Sequence, residues 1–134
     1  MAIAWREDLS IGVEKIDSQH KELISRIDGL FEACNKGKGK EEVVKVIDYL
    51  GDYVIVHFSD EEELQKKYGY PEYNSHKKMH AQFIEDFKGL KGQLEKEGVT
   101  PALIIQMNRK LLDWLLNHIK KVDKQLGVFL KDKM

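Results

Sequence analysis

Apolar residues recur at three- and four-residue steps along four long stretches of the chain, which is the spacing of one face of an α-helix. The first stretch carries the repeat at Ile16, Leu23, Ile27, Leu30 and Phe31. No stretch shows the strict apolar–polar alternation of a half-buried strand. The pattern therefore predicts four helices, over about residues 17–35, 41–68, 71–97 and 101–124.

Residues that favour helix ends separate these four stretches. Asp17 is expected to cap the first helix, and Thr100-Pro101 supplies a hydroxyl cap followed by proline at the first helical position. Gly127 is expected to end the fourth helix. Four helices joined by short loops predict an all-α fold, an up-down-up-down antiparallel four-helix bundle. Residues 1–16 are expected to form an irregular N-terminal arm, with Trp5 folded onto the bundle.

Composition supports this fold class and excludes several functions. A length of 134 residues suits a single domain, and 34% charged against 42% hydrophobic residues is typical of a water-soluble helical protein. A net charge of −1 provides no electrostatic footprint for nucleic acid or an anionic membrane. No apolar run approaches the ~20 residues that span a bilayer, so no membrane insertion is expected. A single cysteine, Cys34, and an N-terminus without a signal-peptide pattern favour a freestanding cytoplasmic domain.

All five histidines and two carboxylates can be placed in one arrangement. They are His20, His57, Glu61, His76, His80, His118 and Asp123. Residues four apart share a helix face, so His57 pairs with Glu61 and His76 pairs with His80. Each predicted helix contributes at least one of the seven residues. Their positions along the alternating helices place all of them approximately at the same end of the bundle. Seven donors are too many for one small ion, which indicates two metals, and imidazole-rich sites favour iron, copper or zinc.

One pair breaks the pattern. His118 and Asp123 are five residues apart, which on an ideal α-helix places them ~140° apart. Either a π-helical turn lies between them or the helix is already loosening at Asp123. A single histidine on an apolar face is usually a packing residue, and His-x-x-x-His alone is a weak zinc signal. The combination, with no histidine left over, is what favours a metal site over a purely structural bundle.

The chain resembles the hemerythrins, most closely the single-domain bacteriohemerythrins. The resemblance covers nearly the whole chain. It rests on Trp5, Gly12-Val13 and the segments IDSQHKEL (16–23), HFSDEE (57–62), GYP (69–71), HKKMHAQF (76–83) and WLLNHIKKVD (114–123).

The resemblance implies a centre of two non-haem iron ions. It places one iron on His76, His80 and His118 and the other on His20 and His57. Glu61, Asp123 and a solvent-derived oxo or hydroxo group would bridge the two irons. Counting ligands on two octahedral irons then leaves one open position, on the iron held by only two imidazoles, where dioxygen would bind.

Reversible binding needs an apolar pocket at that position. The expected pocket residues are Leu23, Phe58, Trp114, Leu115 and Ile119, each of which simple core packing would also explain. Three further residues are candidates for orienting a ligand imidazole through a hydrogen bond. They are Asp17, Gln19 and Tyr53.

The expected function is therefore reversible dioxygen binding for storage, scavenging or delivery to an oxygen-consuming enzyme, without catalytic residues. Two alternatives stay open at this point: an oxygen or redox sensor module, and a weak di-iron peroxidase or nitric-oxide-handling enzyme. The absence of an attached output domain counts against a sensor. A ferritin-like oxidase is disfavoured because neither His57 nor His118 follows a glutamate at the Glu-x-x-His spacing of that class.

Overall fold

The computed structural model describes residues 4–134, so the first three residues of the predicted arm lie outside it. The first helix spans Glu14–Asn35, the second Lys40–Tyr68 and the third Tyr73–Glu97. The fourth helix runs without a break over residues 101–131 but changes its winding. It consists of α-helix at Pro101–Met107, π-helix at Asn108–Asp113, α-helix at Trp114–His118, π-helix at Ile119–Asp123 and α-helix at Lys124–Lys131.

The four helices pack around one apolar core, each against the next along the chain and the first against the fourth. No strand occurs in residues 4–134, and the predicted all-α four-helix bundle is confirmed. Within the same residues, no helix combines the length and apolar character needed to cross a membrane.

Short turns reverse the chain between helices. Gly69 adopts a left-handed conformation (φ 70°) after the second helix, which glycine does without a steric penalty. The next N–H, of Tyr70, donates to the carbonyl of Gln65 at 2.9 Å. At the start of the fourth helix the Leu103 N–H donates to Thr100 Oγ1 at 3.1 Å, which confirms the predicted cap.

The described part of the arm, residues 4–13, is hydrogen-bonded to the first helix. Asp17 does not cap the helix, which begins earlier at Glu14; its carboxylate instead accepts hydrogen bonds from the Ser10 hydroxyl and, at 2.8 Å, from the Ile11 N–H. A 3₁₀ turn at Glu7–Leu9 precedes this contact. Asp17 therefore ties the arm to the bundle, and local capping preference alone misplaced it.

Gly127 also plays a different part from the one its local sequence suggests. The fourth helix continues through it, and its Cα faces the backbone of the arm at Ile11. A methyl group at Gly127 would overlap the Ile11 carbonyl oxygen and would lie 3.0 Å from the Ile11 side chain. Glycine is therefore required here for the close approach of the arm, not to end the helix.

Replacing Gly127 with alanine is expected to destabilise the protein by about 1–3 kcal/mol, because the overlap with Ile11 outweighs the better helix propensity of alanine. The matched control is Gly92→Ala in the third helix, where an added methyl meets no atom within 4 Å. That variant should gain up to ~1 kcal/mol. Denaturant unfolding measures both, and a Gly127→Ala protein as stable as Gly92→Ala would contradict the close approach.

Candidate metal centre

One end of the core is polar although the rest is apolar. Nine polar side chains are buried among the described residues. They are Gln19, His20, His57, Glu61, Gln65, His76, His80, His118 and Asp123. Burying such groups costs free energy unless each is hydrogen-bonded, paired or bound to a metal. All seven candidate ligands belong to this set.

The Glu61 carboxylate lies at the centre of four imidazoles. Its Oε1 is 2.9 Å from His76 Nε2 and 3.4 Å from His80 Nε2. Its Oε2 is 3.2 Å from His57 Nε2 and 3.8 Å from His20 Nε2. The two oxygens of one side chain therefore face two different pairs of histidines.

Asp123 repeats this division from the fourth helix. Its Oδ1 is 3.0 Å from His76 Nε2 and 3.2 Å from His118 Nε2, whereas its Oδ2 is 3.1 Å from His20 Nε2. The donor atoms consequently fall into two groups, in each of which they lie within 4.8 Å of one another. One group contains His76, His80 and His118 and the other His20 and His57, and both carboxylates belong to both.

This arrangement fits a pair of metal ions. The carboxylate oxygens of Glu61 and Asp123 and the Nε2 atoms of His20 and His80 are buried, and their close approaches to neighbouring polar atoms do not have hydrogen-bond geometry among the described residues. Buried polar atoms left in this state are normally rare. Imidazole nitrogens and carboxylate oxygens are donors that first-row transition metals accept. The residues therefore supply both the donor chemistry and the unmet bonding capacity that two metals would satisfy.

The awkward spacing of His118 and Asp123 is resolved by the winding of the fourth helix. Residues Ile119–Asp123 are π-helical, so the turn holds more residues than an α-turn. His118, Ile119 and Asp123 are all buried, while Lys120 and Lys121 face solvent. Of the two alternatives, a π-turn is therefore correct, and the helix does not loosen at Asp123.

Three of the five imidazoles have a partner for the ring nitrogen that faces away from the cluster. His57 Nδ1 lies 2.8 Å from Gln19 Oε1, and the Gln19 amide donates in turn to Asp60 at 2.8 Å. Gln19 was one of the three residues expected to act in this way. The other two do not: Asp17 binds the arm, and the Tyr53 ring lies 4.4 Å from the Arg26 guanidinium.

The other two partners were not identified from the sequence. The Gln65 amide nitrogen lies 2.9 Å from His76 Nδ1, and Glu62 Oε2 lies 2.8 Å from His80 Nδ1. Both residues are on the second helix. Glu62 is one residue beyond Glu61, and Gln65 is one helical turn beyond it. Gln65 could have been identified because it lies four residues after Glu61 and so shares its helix face. Glu62 could not, because it belongs to a run of acidic residues that are normally exposed to solvent.

Aromatic rings cover the three-histidine group. Phe58 stacks on His80 with ring centroids 3.8 Å apart, and Trp114 stacks on His118 at 4.4 Å. Phe83, which sequence reasoning missed, packs between them, 5.6 Å from Phe58 and 4.5 Å from Trp114.

The five expected pocket residues are thus not equivalent. Phe58 and Trp114 lie against the three-histidine group, although Phe58 is also 5.7 Å from the His57 ring. Leu23, Leu115 and Ile119 are buried in the core, and their part in an oxygen pocket stays a prediction.

Burial and ion pairing shift the pKa values of the clustered side chains in opposite directions. Burial lowers the pKa of His57. Burial would also lower the pKa of His76, but the Asp123 and Glu61 carboxylates, 3.0 and 2.9 Å from its Nε2, raise it to about 9. Burial acts to raise the pKa of both carboxyl groups, yet the surrounding imidazoles hold each pKa well below its usual range. The carboxylates are therefore charged and available as ligands at neutral pH.

Comparison with known proteins gives one consistent family. The family model described as "Hemerythrin HHE cation binding domain" matches residues 11–130. A myohemerythrin from Theromyzon tessulatum is 34% identical over 119 residues, which cover 89% of this chain and 86% of the relative. A bacteriohemerythrin from Pseudomonas aeruginosa is 34% identical over 122 residues, covering 90% and 76%. A crystal structure of wild-type hemerythrin superposes with a TM-score of 0.84 at 29% identity, covering 96% of this chain and 97% of that one.

Metal-free protein is expected to lose up to about 3 kcal/mol of stability as the pH rises from about 6.5 to about 9. Protonated His76 is stabilised by Asp123 and Glu61 in the folded state, so its contribution is complete below the unfolded pKa and lost above the folded one. Denaturant midpoints measured in chelator over this range test the slope. His76→Gln is the control, and an equal slope in that variant would refute the assignment.

Proposed function

The chain belongs to the hemerythrin family, and we propose that its buried histidines and carboxylates hold two non-haem irons and bind dioxygen reversibly. The observation that carries the proposal is the position of the two carboxylates. Glu61 and Asp123 each direct one oxygen toward each group of imidazoles, as two bridging ligands would.

The proposed division of ligands is uneven. His76, His80 and His118 would hold one iron, and His20 and His57 the other. When bound, the two irons supply the site at which dioxygen binds and the electrons that hold it there. The iron with two imidazoles has fewer protein ligands, so we assign dioxygen to that iron.

The chain's own residues contribute orientation and exclusion of water. His57 is oriented by Gln19, and its Nε2 points at Glu61. Stacking on Phe58 and Trp114 restricts the rings of His80 and His118. The seven ligands are each no more than 5% exposed, which keeps bulk water and its protons away from bound dioxygen.

Binding rather than catalysis is favoured by the donor set. Five imidazoles and two carboxylates make a nitrogen-rich site, unlike the carboxylate-rich sites of ferritin-like oxidases. We propose storage, scavenging or delivery of dioxygen to an oxygen-consuming enzyme as the role. A reducing cytoplasm suits the lone thiol of Cys34, and we propose it as the compartment.

Anaerobic reduction of iron-loaded protein followed by exposure to oxygen tests the proposal. Absorption and resonance Raman spectra should show an oxygen complex that forms within the mixing time and disappears when oxygen is removed. Immediate conversion to the fully oxidised form, without a reversible complex, would instead favour the enzyme or sensor alternatives.

Replacing Glu61 with alanine is expected to abolish binding of two irons, because one side chain serves both groups of imidazoles. Iron content per chain after reconstitution under anaerobic conditions is the measurement. Glu63→Ala is the matched control, since Glu63 is exposed on the same helix. Full retention of two irons in Glu61→Ala would refute the bridging role.

A further inference from the structure

The second helix holds His80 from three sides. Phe58, Glu61 and Glu62 are spaced at i, i+3 and i+4 and so share one helix face. Phe58 lies flat on the imidazole, with ring planes 4° apart. Glu61 Oε1 lies 3.4 Å from Nε2 on the inner side, and Glu62 Oε2 lies 2.8 Å from Nδ1 on the outer side.

Ligation by Nε2 determines where the ring proton lies. A neutral imidazole that offers the lone pair of Nε2 to a metal carries its hydrogen on Nδ1. Nδ1–H of His80 then donates to the Glu62 carboxylate. A carboxylate acceptor draws this proton outward and makes the opposite nitrogen a stronger electron donor.

His80 differs in this respect from the other imidazoles with identified outer partners. His57 and His76 face the side-chain amides of Gln19 and Gln65, which carry no charge whichever atom they present. A hydrogen bond to a charged acceptor is roughly twice as strong as one to a neutral acceptor. Only 19% of the Glu62 side chain is exposed, so solvent screens this charge incompletely.

We propose that Glu62 is a positioning residue that makes His80 the strongest imidazole donor of the centre and so stabilises the ferric state of the iron held by His76, His80 and His118. The inference rests on the proposed di-iron function. It adds an electronic difference between the two irons to the difference in the number of their ligands. The iron assigned to dioxygen lacks a carboxylate bonded directly to either of its imidazoles. His57 Nδ1 faces the neutral Gln19 amide, which places the Asp60 carboxylate one hydrogen bond further out, and His20 Nδ1 has no hydrogen-bond partner among the described residues.

Redox titration of the iron-loaded protein tests the role of Glu62. Glu62→Gln keeps the shape of the side chain and removes the charge. It should retain two irons and shift the equilibrium toward the ferrous state about tenfold, which corresponds to about +59 mV for one electron. Mössbauer spectra of the ⁵⁷Fe protein should show the larger change in one of the two iron signals. Glu63→Gln removes the same charge from an exposed neighbour and should leave both readouts unchanged.

The outcomes separate the inference from the function on which it rests. A wild-type potential in Glu62→Gln with two irons bound would overturn the inference and leave the di-iron function standing. An equal shift in Glu63→Gln would also overturn it, because the effect would then be one of overall charge. Failure of the wild-type protein to bind iron would overturn the di-iron function itself.

A second measurement, on the wild-type protein, tests the inference in the case that Glu62→Gln binds too little iron for a redox titration. In zinc-loaded wild-type protein, the Nδ1–H proton of His80 should resonate further downfield than that of His57, because its acceptor is charged. Proton–nitrogen correlation spectra of the imidazoles measure this order. The reverse order, or equal positions, would overturn the inference.

Discussion

Two buried carboxylates, each shared between two sets of imidazoles, determine how the four helices meet at one end of the bundle. Glu61 and Asp123 are essentially inaccessible to solvent, and charge at that depth is tolerated only when it is paired or bound to metal. Each carboxylate needs positive charge or metal on both of its oxygens. That requirement explains why every helix contributes a candidate ligand at one end of the bundle and why this end of the core is polar.

Local features that look irregular serve this arrangement. The π-turn at Ile119–Asp123 turns Asp123 inward at a spacing that an α-helix would direct elsewhere. The absence of a side chain at Gly127, one turn later, lets the N-terminal arm pack closely against the same helix. The hydrogen bonds of Asp17 hold that arm in place. The helix that carries Asp123, one of the two proposed bridging ligands, is therefore held by the arm directly after that residue.

The bundle and the ligand pairs His57–Glu61 and His76–His80 could be predicted because both follow from helical period, which is a local property. Features set by contacts between distant segments could not: Gly127 resembled a helix end until Ile11 was placed beside it. The π-turn was one of two interpretations. The five-residue spacing of His118 and Asp123 shows that an ideal α-helix does not fit, but it does not show which backbone conformation replaces it. Glu62 was missed because a glutamate within a run of acidic residues is normally exposed to solvent. Its contact with His80 joins two different helices, and the sequence alone does not show it.

We propose that two irons share Glu61 and Asp123 and divide the imidazoles three against two. Anomalous diffraction at the iron edge from crystals of the iron-loaded protein is the decisive measurement, and it should give two iron peaks. One should be bound by His76, His80 and His118 and the other by His20 and His57, with an oxygen of each carboxylate on each iron. A single peak, or a carboxylate bound to only one iron, would contradict it.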